Sequence, residues 1–145
     1  MSTWPTDTDL TARFKHPANA SVLELLERDY PWSVHGDLAE ELLVMAEAIP
    51  EAERYCPDIS RFGYWALYTK EKIIFALAIG MQHLSLRLPG QGDAVVSDGG
   101  APSKELGLGW YDFSVFEGDK KSTNSRIGRW LRFAFELASN EKNVV

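Results

Sequence analysis

The hydrophobic pattern is strand-like in the middle of the chain. Three runs rich in β-branched and aromatic residues are separated by links of two or three residues: Phe62–Thr69, Lys72–Ile79 and His83–Leu88. This composition favours β-strands, and links this short join only neighbouring antiparallel strands. The pattern therefore predicts a three-stranded meander.

Two-residue alternation is clearest in the third run and in a fourth, from about Leu108 to Glu117. Leu84, Leu86 and Leu88 share one side of the third strand, and His83, Ser85 and Arg87 share the other. In the fourth run the two alternating sets are Tyr111, Phe113 and Val115 against Trp110, Asp112, Ser114 and Phe116. We expect the two polar sets to share one face if the strands are neighbours.

Helical spacing precedes the meander. A first helix is predicted from Ser21, which has capping-box spacing to Glu24, to a point before Pro31. Asp37 is predicted to cap a second helix. Its apolar positions recur at helical intervals: Leu38, Leu42, Met45 and Ile49. A short third helix is predicted over Pro50–Tyr55, since proline suits a first helical turn.

Helical spacing returns after the meander. Asp93–Ser97 is predicted to form a helical turn, and Thr123–Ser139 a final helix. The apolar stripe of that helix consists of Ile127, Trp130, Leu131, Ala134 and Ala138. Because Trp130 is central in this stripe, we expect it to be largely buried against the meander, near Phe75 or Leu86.

Together these elements predict an α+β fold: an antiparallel sheet of about four strands, packed by two N-terminal helices and a C-terminal helix. We expect one domain over residues 1–145, with residues 1–17 loosely ordered. The element order around Phe75, Arg87, the Gly-rich loop, the aromatic strand and the Trp-containing helix resembles the N-terminal domain of the competence regulator TfoX and the YjbR-type small bacterial domains. This chain shares no motif with those domains, so the resemblance implies no site residue.

Composition narrows the class of protein. The chain is 45% apolar and 25% charged, as in ordinary globular proteins, and Cys56 is its single cysteine. One cysteine forms no intramolecular disulfide. The N-terminal residues lack the basic and apolar regions of a secretory signal, and the longest apolar run is far shorter than the roughly 20 residues that span a bilayer. We expect a cytoplasmic protein that does not enter the membrane.

Charge is distributed unevenly. Residues 7–58 contain 12 acidic and 4 basic residues, whereas residues 59–145 contain 9 acidic and 11 basic residues. An acidic surface attracts a basic protein and repels nucleic acid. Glu40, Glu41 and Glu47 lie off the apolar stripe of the second helix, and we expect them to face water as protein-interaction residues. Plain solubility is the alternative explanation of the same charges.

The polar sheet face is the candidate site for small-molecule chemistry. His83 is a potential acid or base, Arg87 a potential anion ligand, and Asp112 their neighbour. The adjacent candidates for ligand binding are Ser85, Ser114 and Trp110. The alternative is a half-solvated face that carries a cross-strand Arg–Asp pair.

The remaining classes of site have little support. His16, His35 and His83 lack metal-ligand spacing, so we expect no metal and no cofactor. A basic run could contact nucleic acid: Lys120, Lys121, Arg126, Arg129 and Arg132. The pI near 5.0 opposes that interpretation.

No motif identifies a function. The sequence favours a non-catalytic, protein-binding domain of the adaptor or immunity kind. A small-molecule enzyme or ligand-binding protein that uses His83, Arg87 and Asp112 is the first alternative. A nucleic-acid accessory protein is the second.

Overall fold

The computed structural model describes residues 12–28, 36–56, 64–80, 83–116 and 119–141. Within these ranges the fold is α+β, with six strands in a single antiparallel sheet. The strands are β1 (Glu53–Tyr55), β2 (Trp65–Tyr68), β3 (Ile74–Ala78), β4 (His83–Arg87), β5 (Ala101–Pro102) and β6 (Trp110–Ser114). The helices are α1 (Ala20–Arg28), α2 (Gly36–Ala46), α3 (Gly92–Ser97) and α4 (Lys120–Ser139), and a 3₁₀ turn (Pro17–Asn19) precedes α1.

The predicted meander is confirmed as β2, β3 and β4, which pair consecutively and antiparallel. The fourth predicted strand is β6, and it pairs with β4. The spatial order is β1-β2-β3-β4-β6-β5. Two short strands at the edges thus extend the expected sheet of about four strands to six.

Strand β1 replaces the short helix that was predicted over Pro50–Tyr55. Only turns precede it, and Glu53, Arg54 and Tyr55 pair with β2. Edge pairing overrides the local proline signal here, because β2 offers backbone groups that a solvated helical turn would leave unpaired. The helix prediction was therefore wrong at this position.

A tight turn and a bulge shape the β2–β3 hairpin. The N–H of Lys72 donates to the carbonyl of Thr69, and Lys72 itself adopts a left-handed conformation with φ of 67°. The register then shifts between Leu67 and Tyr68. As a result Phe75 and Ala76, although adjacent in sequence, both belong to the core on the same side of the sheet.

Helices α2 and α4 cover one side of the sheet, which we call the α2/α4 face. Alternate strand residues meet the apolar stripes of both helices there. The largest contributors are Leu38, Leu42, Phe75, Leu84, Leu86, Phe113, Ile127 and Leu131. The two helices contact each other as well as β3 and β4.

Helix α1 and the segment before it pack on the opposite side, the α1 face. Its core consists mainly of Phe14, Val22, Leu25, Leu26, Tyr64, Ala66, Leu77, Leu106 and Trp110. Phe14 is fully buried, although residues 1–17 were expected to be loosely ordered. Residues 1–11 of that segment and the predicted helix end before Pro31 lie outside the described residues.

Helix α4 follows the prediction except at its start and at Trp130. It begins at Lys120, three residues earlier than expected. Trp130 is only partly buried: its ring lies 6.5 Å from that of Phe113, and its indole N–H donates to Asp98 at 2.7 Å. The position beside Phe75 that was predicted for Trp130 is taken by Phe135, at a ring distance of 5.5 Å. None of the described helices combines the length and the apolar character needed to cross a membrane.

Candidate functional site

The polar residues of β4 and β6 share the α1 face, as their alternation indicated. His83 lies opposite Ser114, and Ser85 lies opposite Asp112. His83 and Asp112 are therefore diagonal neighbours across the two strands. The Ser85 hydroxyl donates to Asp112 Oδ1 at 2.7 Å, which fixes the orientation of the carboxylate.

Arg87 does not join this group. Its two terminal nitrogens donate to the carboxylate of Glu141, just after α4, at 2.5 and 3.1 Å. Such a bidentate pair neutralises the guanidinium and fixes its direction. The expected Arg–Asp pair across the strands is therefore replaced by a Ser85–Asp112 bond and an Arg87–Glu141 ion pair.

Two cavities open beside the polar residues. The smaller one, which we call the sheet-face cavity, has a volume of about 230 Å³. It lies between α1 and the loop that joins β5 to β6. A neighbouring cavity of about 590 Å³ extends toward β5. His83, Glu105 and Asp112 line both cavities, and Arg87 lines neither.

The other candidate residues lie in different surroundings. Ser85 lines the sheet-face cavity, and Ser114 lines the neighbouring one. Trp110 lines neither; it is 2% exposed within the core of the α1 face. Trp110 is therefore a core residue and not part of either cavity lining.

Sequence reasoning missed Ser103, Lys104 and Glu105, which follow the two-residue strand β5 and line these cavities. Ala101 and Pro102 are too short a strand to give an alternation pattern. The left-handed glycine Gly107 and the backbone bond from Gly107 to Ser103 close the loop behind them. The available sequence signal was the pair Gly99-Gly100 just before β5, and it indicated only a turn.

The three acidic residues proposed for protein interaction, Glu40, Glu41 and Glu47, divide into two groups. Glu40 and Glu47 are exposed, as expected. Glu41 is 8% exposed and accepts a hydrogen bond from Asn124 of α4. The expectation that Glu41 faces water was wrong, because α4 packs along that side of α2.

A second concave surface lies between α2 and α4, and we call it the helix groove. Its volume is about 430 Å³. Apolar side chains of α2 and the turn after it form one wall, namely Val44, Met45, Ala48 and Ile49. Ser125, Gly128 and Arg129 form the opposite wall, and a Cβ atom at Gly128 would meet no atom within 4 Å.

The basic residues of α4 are partly engaged within the fold. Arg126 donates to the carbonyl of Asp98, and Arg132 donates to the carbonyl of Ala48. Lys121 and Arg129 are exposed. Two of the five bases proposed for phosphate contact therefore also bind backbone oxygens of this chain.

The histidines are well separated where they are described. His16 Nδ1 accepts a hydrogen bond from the N–H of Ala18 and so caps the 3₁₀ turn. His35 lies outside the described residues. Among the residues the structure describes, no group of three or more His, Cys, Asp or Glu side chains is placed to hold a metal ion. Cys56, the single cysteine of the chain, is half-buried.

Comparison with known proteins found no matching family model. The searches of curated proteins and of solved structures found no match either. The likeness to TfoX and YjbR-type domains therefore rests on element order alone. Any inference about function depends on the geometry of this chain.

Proposed function

We propose that this protein is a non-catalytic protein-binding domain of the adaptor or immunity kind, and that it binds its partner at the helix groove. The observation that carries the proposal is the groove itself: an open, largely apolar recess between two helices. Val44 in its wall is 52% exposed. Exposed apolar surface of this kind, bounded by polar residues, is typical of protein interfaces.

Charge around the groove indicates the chemistry of the partner. Glu40 precedes Val44 by four residues on α2, so the two lie on the same side of the helix. Glu47 follows Val44 by three residues, in the turn just after α2. Arg129 lies on the α4 side. The complementary partner is an amphipathic helix with apolar side chains in the groove, a basic flank against α2 and an acidic flank near Arg129.

The polar sheet face offers less support for catalysis. A reaction that uses Arg87 as an anion ligand requires that guanidinium to face His83 and Asp112. Glu141 binds it instead. The three residues of the enzyme alternative thus do not converge on either cavity.

Substitution of Gly128 tests the proposal. Gly128→Phe places a large side chain in the groove, and Gly128→Ala is the matched control because its Cβ meets no neighbouring atom. Both variants should fold. We expect the parent and Gly128→Ala to capture the same protein from lysate of the source organism, and Gly128→Phe to lose it.

The captured protein is identified by mass spectrometry, and its affinity for the three purified proteins is then measured. Capture that is equal for Gly128→Phe and the parent excludes the groove as the interface. Failure of the parent to retain any protein that Gly128→Phe loses contradicts the proposed function.

A further inference from the structure

The sheet-face cavity suggests a second binding site, independent of the helix groove. The cavity lies on the α1 face, between Leu25 of α1, Leu77 of β3 and Leu106 of the β5–β6 loop. Each of these leucines is at most 3% exposed. These apolar lining residues therefore belong to the core, which holds that part of the cavity wall in place.

Its polar part contains two carboxylates and one imidazole, that of His83. Glu105 and Asp112 line the sheet-face cavity, and among the described lining residues there is no lysine or arginine. Arg87, which the register places on the same face, is bound by Glu141. Lys104 lines only the neighbouring cavity. Two carboxylates without a permanent cation favour a positively charged occupant.

The orientation of the Asp112 carboxylate also favours a positively charged occupant. Its Oδ1 atom accepts the hydroxyl hydrogen of Ser85 at 2.7 Å. Because an ionised carboxylate accepts several hydrogen bonds, Oδ2 remains available as an acceptor for an N–H group. A charge-assisted N–H···O bond to such a fixed carboxylate is stronger than one between neutral groups.

We propose that the sheet-face cavity binds a small primary amine with a short apolar body. The ammonium group lies against Asp112 and Glu105, and the apolar body lies against Leu25, Leu77 and Leu106. The cavity volume of about 230 Å³ is below that of sites for drug-sized ligands. The occupant is correspondingly small.

Three molecules of nearly equal shape test the proposal: 2-phenylethylamine, neutral 2-phenylethanol and anionic phenylacetate. Titrations of the full chain are followed by backbone amide NMR, which reports affinity and location together. We expect the amine to bind at least about tenfold more tightly than the alcohol, because its hydrogen bonds are charge-assisted. Phenylacetate should bind most weakly, and the shifted amides should include Leu77, Ser85 and Leu106.

Substitutions at the carboxylates separate this site from a general charge effect. Glu105→Gln and Asp112→Asn should each reduce amine affinity severalfold and leave the affinity for the alcohol unchanged. Glu105 is exposed, so its substitution preserves the fold. Asp93→Asn, at an exposed acid of α3, is the matched control and should bind like the parent.

Four results overturn the proposal: no saturable amine binding, equal affinity for amine and alcohol, a preference for phenylacetate, or undiminished amine affinity in both carboxylate variants. None of these results bears on the helix groove, because the two surfaces share no described lining residue.

Discussion

At the residue scale, Asn19 makes the most extensive polar connection in the described core. It is fully buried. Its amide nitrogen donates to the carbonyls of Phe14 and Lys72 at 3.2 and 2.7 Å, and its Oδ1 accepts the N–H of Ile74 at 2.8 Å. One side chain thus joins the segment before α1 to the start of β3.

We predict that Asn19→Ala lowers the free energy of unfolding by about 2–4 kcal/mol, because it leaves a buried N–H and two carbonyls without partners. Urea denaturation measures the loss. Asn140→Ala removes an exposed asparagine side chain and is the control. A midpoint for Asn19→Ala equal to that of Asn140→Ala would show that these bonds contribute little.

Individual residues also show which contacts could be predicted from the sequence and which could not. Alternation correctly placed His83, Ser85, Asp112 and Ser114 on one sheet face, because strand periodicity is local. It could not identify the partner of Arg87, which is Glu141 at a separation of 54 residues. Because Glu141 binds Arg87, this candidate residue does not line either cavity.

At the element scale, the long periodic helices and strands could be predicted from the sequence, and the short edge strands could not. The three meander strands, β6 and the long helices were all found from their spacing. β1 and β5 have only three and two residues, and both are stabilised by pairing with a neighbouring strand rather than by an apolar pattern. Trp130 lies at the margin of the α4 stripe, where its N–H reaches Asp98, and the stripe alone does not distinguish margin from centre.

Two glycines, Gly128 in α4 and Gly100 in the loop between α3 and β5, give opposite predictions for the same substitution. A Cβ atom at Gly128 in α4 has no neighbour within 4 Å, whereas one at Gly100 would lie 2.4 Å from Val95 Cγ1 and 3.0 Å from Phe113. Gly128→Ala should raise the free energy of unfolding by up to about 1 kcal/mol through helix propensity.

Gly100→Ala should lower the free energy of unfolding by about 1–3 kcal/mol, because Val95 and Phe113 are fully buried and have little room to move. Thermal denaturation of both variants beside the parent checks the pair. Equal melting temperatures for the two variants would contradict the packing described around Gly100.

At the scale of the whole molecule, the two faces of the sheet carry different candidate surfaces. The α2/α4 face is covered by helices, and the groove between these helices is the proposed protein interface. The α1 face retains the polar sheet-face cavity. The acidic bias of the first part of the chain was visible in the sequence. Because Glu41 is buried against Asn124, only Glu40 and Glu47 of the three proposed acids are exposed.

The most direct test of the proposed interface is the rate of association with the captured partner at low and high salt. Glu40→Lys with Glu47→Lys reverses the acids beside Val44. Glu71→Lys with Asp93→Lys, at exposed acids in the β2–β3 turn and in α3, makes the same change of net charge elsewhere. At low salt we expect the first pair to slow association about tenfold and the second to have a small effect. The difference should disappear at high salt, where screening is strong. Equal rates for the parent and both paired variants at every salt concentration, or equal slowing by the two pairs, would contradict an interface at the acidic edge of the helix groove.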